Sequence, residues 1–243
     1  MQNFPRVHRV AAEMAVEAIR TGLPVIIAGG LGAWPALSHW SFERLLRDHG
    51  DWVVPVSVFR HGALSPEKEM CRISELIPRI LPFPSWPLCY LQQVPLAEWP
   101  RALAECIGPP PGLAPGTPMD AYLWCGPHGA SSPLHYDTRD NLHVLLRGHK
   151  RFLLFAPDQS PLMYPHAEDG AQHLSRIDVE RVDRRAFPRF GRARGLRCVL
   201  GPGEVLYLPT RWWHQVHLWA PSISVNFWWT KEQGATPQGE QRS

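Results

Sequence analysis

The stretch SSPLHYDTRDNLHVLLRGHKRFLLFAPDQ, residues 131–159, combines strand-forming runs with polar side chains in unusual places. Two apolar runs that flank Gly148 predict two β-strands joined near that glycine. Alternate side chains of an extended chain share a face, so Asn141 and His143 lie together on the first strand. Polar groups inside a β core need partners, as does Lys150 at the start of the second strand. This pattern predicts strands that line a polar cavity.

Strand signals continue to the end of the core and alternate with helix signals before it. Short strands separated by Gly/Pro turns from residue 119 onward predict a sandwich or small barrel. The predicted strands of this part are DAYLWCG, NLHVLLR, KRFLLF, RCVL, EVLYLP, HQVHLWA and SISVNFWWT. A Pro/Gly loop at 109–118 predicts a division into an N-terminal α/β cap at 1–118, a β core at 119–230 and a polar tail at 231–243.

In the predicted cap, apolar spacing indicates helices at 10–21, 73–80 and 96–106. Ser41 predicts the N-cap of a further helix that ends before Gly50. The runs PVIIAGG, WVVPVSVF and LCYLQQV predict strands, and Pro55 indicates an edge or a bulge in the second of them.

Composition places the chain among folded soluble proteins. It has 243 residues and a formal net charge of +3, which indicates no general affinity for nucleic acid. There is no run long enough to span a bilayer, and the N-terminus MQNFPRVHRV lacks the apolar stretch of a signal peptide, so we expect no membrane association. Five scattered cysteines without a C-x-x-C pair predict reduced thiols in a cytoplasmic protein.

Three residues form a candidate metal site. His135 and Asp137 are two apart and leave an extended chain on the same face, and His214 follows a later strand. Two histidines and one carboxylate on different strands can occupy one face of a six-coordinate ion, as in the facial triad of non-haem Fe(II) oxygenases. The alternative is a turn histidine beside a capping aspartate, with His214 stacked near two tryptophans.

Two further patterns fit a lined cavity. Lys150 points inward if an anion pairs with it there, and otherwise lies at the surface with its stem on apolar neighbours. The last strand separates its side chains by type, with Ile223, Val225 and Phe227 on one face. Its other face carries the polar and aromatic residues Ser222, Ser224, Asn226 and Trp228. We expect the second face to line the cavity and the first to pack under a covering layer.

The segments PLHYDTRDNLHVLLRGHKRFLLFAPDQ, LGPGEVLYLPTRWWHQVHL and SVNFWW together resemble the JmjC/cupin-like Fe(II)/2-oxoglutarate-dependent oxygenases, and most of all the asparaginyl hydroxylase of hypoxia-inducible factor. The resemblance implies a mainly β fold with flanking helices, in which a double-stranded β-helix, a jelly-roll-like barrel, forms the core. It implies Fe(II), 2-oxoglutarate and O2 as cofactor and cosubstrates. The asparaginyl hydroxylase continues into C-terminal helices that form its dimer; this sequence stops soon after NFWWT, so such a dimer is not expected and the oligomeric state is not predicted.

The resemblance also assigns roles to individual residues. It implies that His135, Asp137 and His214 bind the metal and are catalytic. Gln92, within YLQQ, matches a residue that touches the substrate side chain. The residues implied to bind or surround 2-oxoglutarate and the metal are Tyr90, Ser132, Asn141, Lys150, Asn226 and Trp228.

The activity implied is hydroxylation of a protein or peptide side chain, coupled to decarboxylation of 2-oxoglutarate to succinate and CO2. Demethylation of N-methyl-lysine and hydroxylation of an RNA base are alternatives on the same core, and a non-catalytic metal-binding cupin is an alternative of another class. Eight arginines between Arg176 and Arg197 indicate a solvated loop or a salt-bridge lattice with Asp178, Glu180 and Asp183. A basic rim for an acidic peptide or RNA is the other interpretation.

Overall fold

A computed structural model describes residues 4–60, 66–81 and 87–230, so the predicted tail at 231–243 lies outside the described residues. The strands are β1 His8–Ala11, β2 Val25–Ala28, β3 Val53–Phe59, β4 Glu67–Arg72, β5 Leu88–Pro95, β6 Asp120–Gly126, β7 Asp140–Arg147, β8 Lys150–Phe155, β9 Gly195–Leu200, β10 Val205–Leu208, β11 Trp213–Leu218 and β12 Ser222–Trp229. The α-helices are α1 Ala15–Arg20, α2 Ala36–His39, α3 Phe42–His49, α4 Ile73–Ile80 and α5 Arg101–Ala104. Short 3-10 helices cover Ala12–Met14, Leu96–Glu98, Pro157–Leu162 and Pro188–Arg192.

The strands form two sheets. The larger sheet has nine strands in the order β1-β2-β10-β7-β12-β6-β5-β3-β4, and the smaller has three in the order β11-β8-β9. All pairs are antiparallel except β1 with β2, which is parallel. The predicted mainly β fold with flanking helices is thereby confirmed. Strands of the predicted cap and of the predicted core share the larger sheet, and the division at residue 118 stays a prediction.

Apolar packing holds this architecture together on two sides of the larger sheet. One cluster joins the two sheets and includes Leu145 of β7, Phe152 of β8 and Leu206 of β10. The other covers the outer face of the larger sheet with helices α1 to α5, and it takes in Ile223 and Val225 of β12. The predicted burial of the apolar face of β12 under a covering layer is confirmed.

The turn between β7 and β8 determines which residues reach the space between the sheets. Gly148 adopts φ +83°, and a Cβ there would lie 2.2 Å from the carbonyl oxygen of Pro221. Only glycine combines this backbone conformation with such a close approach. The chain therefore leaves the larger sheet at Arg147 and enters the smaller sheet at Lys150, so the two strands predicted to flank Gly148 are present and belong to different sheets.

Two helices of the structure differ in extent from the helices predicted from the sequence. The helix predicted at 10–21 starts only at Ala15, because Val10 pairs with Ile27 in the ladder between β1 and β2. The helix predicted at 96–106 is divided into a 3-10 turn and α5. Trp99 has the extended backbone (ψ 148°) that a following proline favours, and Pro100 has no N–H to continue the helix.

Other local predictions agree with the structure. Ser41 caps α3 by accepting a hydrogen bond from the Arg44 backbone N–H, and the helix predicted at 73–80 is α4. Strand β3 is not an edge strand, since β4 and β5 flank it. Its ladder with β5 begins only at Val56, however, so Pro55 needs no hydrogen-bond donor on that side. No helix in the described residues is long and apolar enough to cross a membrane.

Candidate metal centre

A short backbone bridge places two of the predicted ligands side by side. The His135 N–H donates to the His214 carbonyl at 3.0 Å, and the His214 N–H donates to the His135 carbonyl at 2.6 Å. The two imidazole rings have centroids 4.2 Å apart. His214 lies on β11, whereas His135 lies in the segment before β7, so the bridge brings distant parts of the sequence to one point.

Asp137 completes a compact set of donor atoms with these histidines. His135 Nε2 is 4.0 Å from Asp137 Oδ1, and His214 Nε2 is 3.9 Å from Asp137 Oδ2. One ligand atom from each of the three residues lies within 4.8 Å of the others. Donors that each lie about 2.1 Å from a shared ion are roughly 3 to 4 Å apart, so these side chains can bind one metal ion with small adjustments.

Backbone carbonyls orient both imidazoles for metal binding. His135 Nδ1 lies 2.8 Å from the Pro133 carbonyl, and His214 Nδ1 lies 2.9 Å from the Trp212 carbonyl. A carbonyl only accepts, so each Nδ1 carries the hydrogen and each Nε2 presents its lone pair to the ion. Burial, and then the nearby His214 ring, lower the pKa of His135 below its ordinary value, which keeps the ring in its neutral, metal-binding form.

A set of hydrogen bonds holds the Asp137 carboxylate. Trp228 Nε1 donates to Asp137 Oδ2 at 3.0 Å, and Asn141 Nδ2 approaches the same oxygen at 3.4 Å. Asn226 Nδ2 donates in turn to Asn141 Oδ1 at 3.1 Å. The structure thus places Asn141, Asn226 and Trp228 beside the ligands, where the resemblance implies them, and it connects Asn226 to Asp137 through Asn141.

The ligand atoms open into a cavity of about 290 Å³. The remaining predicted site residues also line it: Tyr90, Gln92, Ser132, Asn141, Lys150, Asn226 and Trp228. These residues come from β5, β7, β8 and β12 and from the segment between β6 and β7. All ten residues predicted to form the site therefore face one space between the two sheets.

Lys150 lies inside this cavity and not at the surface. The residue is 1 % exposed, and its Nζ donates to Ser224 Oγ at 2.7 Å. Within the described residues it forms no ion pair, and burial lowers the pKa of its ammonium group to about 7. The surface alternative for Lys150 is wrong. A buried ammonium group with one neutral partner is suited to pair with an anion that enters the cavity.

A family model described as a cupin-like domain matches residues 11–235. The chain belongs to the cupin-like domain family. It is 32% identical over 212 residues to lysine-specific demethylase 8 of Xenopus tropicalis, covering 85% of this chain and 48% of the relative. It is 32% identical over 231 residues to Jumonji C domain-containing protein 5 of Drosophila melanogaster, covering 89% of this chain and 57% of the relative. Lysine-specific demethylase JMJ30 of Arabidopsis thaliana is 31% identical over 217 residues, with 87% and 51% covered.

This cupin-like chain spans about half the length of these relatives. The predicted resemblance to JmjC/cupin-like proteins is confirmed at that level. The relatives that match most of the chain carry the names of demethylases and of a Jumonji C protein. The stronger likeness to the asparaginyl hydroxylase stays a prediction.

Tyr90 and Ser132 offer hydroxyl groups at the wall of the cavity. Burial raises the pKa of Tyr90, so its hydroxyl stays protonated and can donate. The absence of a side chain at Gly126 makes room for the ring, since a Cβ there would lie 2.5 Å from it. Ser132 Oγ accepts from the Val216 N–H at 3.0 Å, which leaves its own hydrogen available for another acceptor.

Two polar side chains of the cavity, His143 and Trp124, have no role predicted from the sequence. His143 is 4 % exposed, and its Nε2 has no hydrogen-bond partner among the described residues. Trp124 Nε1 is also buried and has no hydrogen-bond partner within the described part of the chain. The alternation along β7 already placed His143 on the face of Asn141, and that shared face was the available signal.

The arginine-rich segment of this cupin-like chain contributes none of its eight arginines to the lining of the cavity. All eight of its arginines are exposed, as a solvated loop and a basic rim both require, and Arg197 lies on β9. The predicted salt-bridge lattice does not match the partners seen: Glu180 pairs with Arg151 of β8, and Asp178 and Asp183 accept from backbone N–H groups. Arg176 and Arg189 lie over aromatic rings instead.

Proposed function

We propose that the chain is an Fe(II)- and 2-oxoglutarate-dependent dioxygenase that hydroxylates a side chain of a protein or peptide. One observation carries this proposal: three converging metal-ligand side chains and the buried Lys150 line the same cavity. An imidazole and carboxylate donor set without a thiolate suits Fe(II). The unneutralised ammonium group suits the distal carboxylate of 2-oxoglutarate.

The residues present fit both groups. His135, Asp137 and His214 would hold the ion, with their orientations fixed by carbonyls and by Trp228. When bound, Fe(II) with 2-oxoglutarate and O2 supplies the oxidising chemistry, and succinate and CO2 are its coproducts. The chain binds and orients the reactants: Lys150 would bind the distal carboxylate, and the hydroxyls of Tyr90 and Ser132 would assist it.

Substrate recognition is assigned to the mouth of the cavity. Gln92 lines the cavity and is half-buried, as befits a residue that meets both the cosubstrate space and an incoming side chain. An amide offers a donor and an acceptor, which suits a polar side chain or a peptide group. This role follows the likeness to the asparaginyl hydroxylase and supports a protein or peptide substrate over an RNA base.

Demethylation of N-methyl-lysine is the second candidate. It requires the same cavity, because hydroxylation of the methyl group precedes loss of formaldehyde. The names of the relatives from Xenopus tropicalis and Arabidopsis thaliana favour it. The residues around the metal are equally compatible with both reactions, so the two candidates are separated by the product and not by the site.

The proposal is tested with purified protein supplied with Fe(II), ascorbate and 2-oxoglutarate. We expect slow formation of succinate without added substrate, and faster formation with extract of the host cell. Mass spectrometry of the extract then distinguishes the candidates, since hydroxylation adds one oxygen and demethylation removes one methylene with release of formaldehyde. Absence of succinate from metal-loaded protein under every condition would instead support a non-catalytic metal-binding cupin.

The pKa of Lys150 predicts how stability depends on pH. Its pKa is about 7 in the folded chain and 10.5 ordinarily, so above pH 7 the unfolded state binds more protons than the folded state. The free energy of unfolding of metal-free protein should therefore rise between pH 7 and 8.5, by up to about 1.4 kcal/mol per pH unit from this residue. Below pH 7 the ammonium is charged in both states, and this contribution is lost.

Chemical denaturation of the wild type and of Lys150→Met measures this effect. The variant keeps an unbranched side chain of similar length but has no ionisable group. We expect its unfolding free energy to rise less steeply with pH over the same range. Equal slopes for the two proteins would mean that Lys150 keeps its charge in the folded chain.

A further inference from the structure

His143 occupies the middle of a row of polar side chains that runs through the cavity. On β7 and β12 the cross-strand pairs are Asn141 with Trp228, then His143 with Asn226. The next inward-facing residue of β12, Ser224, binds Lys150. Successive inward-facing residues are about 6.6 Å apart along a strand, so His143 lies between the metal ligands at one end and the ammonium group at the other.

The imidazole of His143 lacks a partner where one is expected. Its neighbour Asn226 has an Oδ1 that is also without a partner among the described residues, so the two side chains do not bind each other through these atoms. His143 packs against Phe152 in an edge-to-face arrangement, with ring centroids 5.2 Å apart. A buried nitrogen left without a hydrogen bond destabilises the folded chain, and a ligand that accepts from the imidazole would offset that cost.

His143 is suited to act as a neutral hydrogen-bond donor. Burial, and then the nearby Lys150 ammonium, lower the pKa of His143 well below its ordinary value. A neutral imidazole next to an ammonium group adds a directional N–H without a second positive charge. Two donors of this kind can bind the two oxygens of one carboxylate.

We propose that His143 is a binding residue for the distal carboxylate of 2-oxoglutarate, to which its imidazole N–H donates a hydrogen bond beside the ammonium group of Lys150. The inference rests on the proposed function and assigns a residue to the cosubstrate site that the family resemblance did not. It makes the cavity selective for a dicarboxylic 2-keto acid over a 2-keto acid that has only one carboxylate.

Calorimetric titration of Mn(II)-loaded protein without oxygen tests this role independently of turnover. Two acids are compared: 2-oxoglutarate, and 2-oxobutyrate, which keeps the 2-keto acid end but lacks the distal carboxylate. His143→Leu removes both ring nitrogens, and His143→Phe does so with a ring of similar shape should the first variant fail to fold. His143→Gln returns a donor, and His149→Leu makes the same change at an exposed residue of the β7–β8 turn.

We expect His143→Leu to bind 2-oxoglutarate roughly ten- to a hundredfold more weakly, the loss typical of one hydrogen bond to a charged group. Its affinity for 2-oxobutyrate and for Mn(II) should stay close to that of the wild type. His143→Gln should recover part of the lost affinity, and His149→Leu should lose none.

Two results would overturn the inference while leaving the proposed function intact. Unchanged affinity of the apolar variants for 2-oxoglutarate would show that His143 donates nothing to it. An equal loss for both acids would place the contact at the metal end of the cavity. Failure of the wild-type protein to bind 2-oxoglutarate at all would instead contradict the proposed function.

Discussion

Changing His135 or His214 to alanine is expected to abolish succinate formation from 2-oxoglutarate. Each substitution removes one of the three donors that meet within 4.8 Å, and neither leaves a side chain that can replace it. Loss of groups that merely orient metal ligands costs about 10- to 100-fold in affinity or activity. Loss of a ligand itself should cost at least as much, and the metal content of the purified variant should fall with the activity.

The control for this experiment is His39→Ala, which removes an exposed imidazole at the end of α2. Succinate is measured after incubation with Fe(II) and ascorbate, and bound iron is measured by elemental analysis. The control should match the wild type in both. Full activity in either ligand variant would mean that the ion, if one is bound, lies elsewhere.

Changing Lys150 to methionine should have the second largest effect, and it should act on cosubstrate binding. The variant keeps most of the buried stem but leaves the distal carboxylate of 2-oxoglutarate without its cationic partner. Removing one member of a buried charged pair typically costs about 2 to 5 kcal/mol. The dissociation constant for 2-oxoglutarate should therefore rise roughly 30- to 5000-fold, while the affinity for Mn(II) stays unchanged.

Ser224→Ala provides the matched comparison, because it removes only the hydroxyl that accepts from Lys150 at 2.7 Å. It should weaken 2-oxoglutarate binding far less than Lys150→Met does. Titration of Mn(II)-loaded proteins under nitrogen gives both affinities. If Lys150→Met bound 2-oxoglutarate like the wild type, the ammonium group would have no role in holding the dicarboxylate.

Alternation of side chains made much of the site predictable from sequence. On β12 the change of residue type at every second position separated two faces, and the structure buries Ile223, Val225 and Phe227 in the apolar core as expected. Of the other face, Asn226 and Trp228 line the cavity, whereas Ser222 and Ser224 are not among its lining residues. The spacing of His135 and Asp137 placed two ligands on one side of an extended segment. Where a strand alternates strictly, a one-residue shift would bury the wrong face, so the alternation itself indicates which side chains are buried in the core.

Other features depend on contacts that no local pattern records. The bridge between His135 and His214 joins residues 79 positions apart, and only the paired backbones show that these two side chains lie next to each other. The start of α1 at Ala15 reflects the pairing of β1 with β2, which overrides helix-like spacing. Alternation along β7 placed His143 on the face of Asn141, but its lack of a partner becomes visible only when all neighbours are placed.

The carbonyl contacts of the two imidazoles have a consequence for how the proposed ion would bind. Each ring contacts the carbonyl of the residue two positions earlier in the chain, so the local backbone conformation sets the orientation of the ring. The donor atoms of the two rings are then already oriented toward one position before an ion binds, so the side chains lose little rotational freedom on binding. Capture and release of the ion should therefore proceed without rearrangement of either sheet.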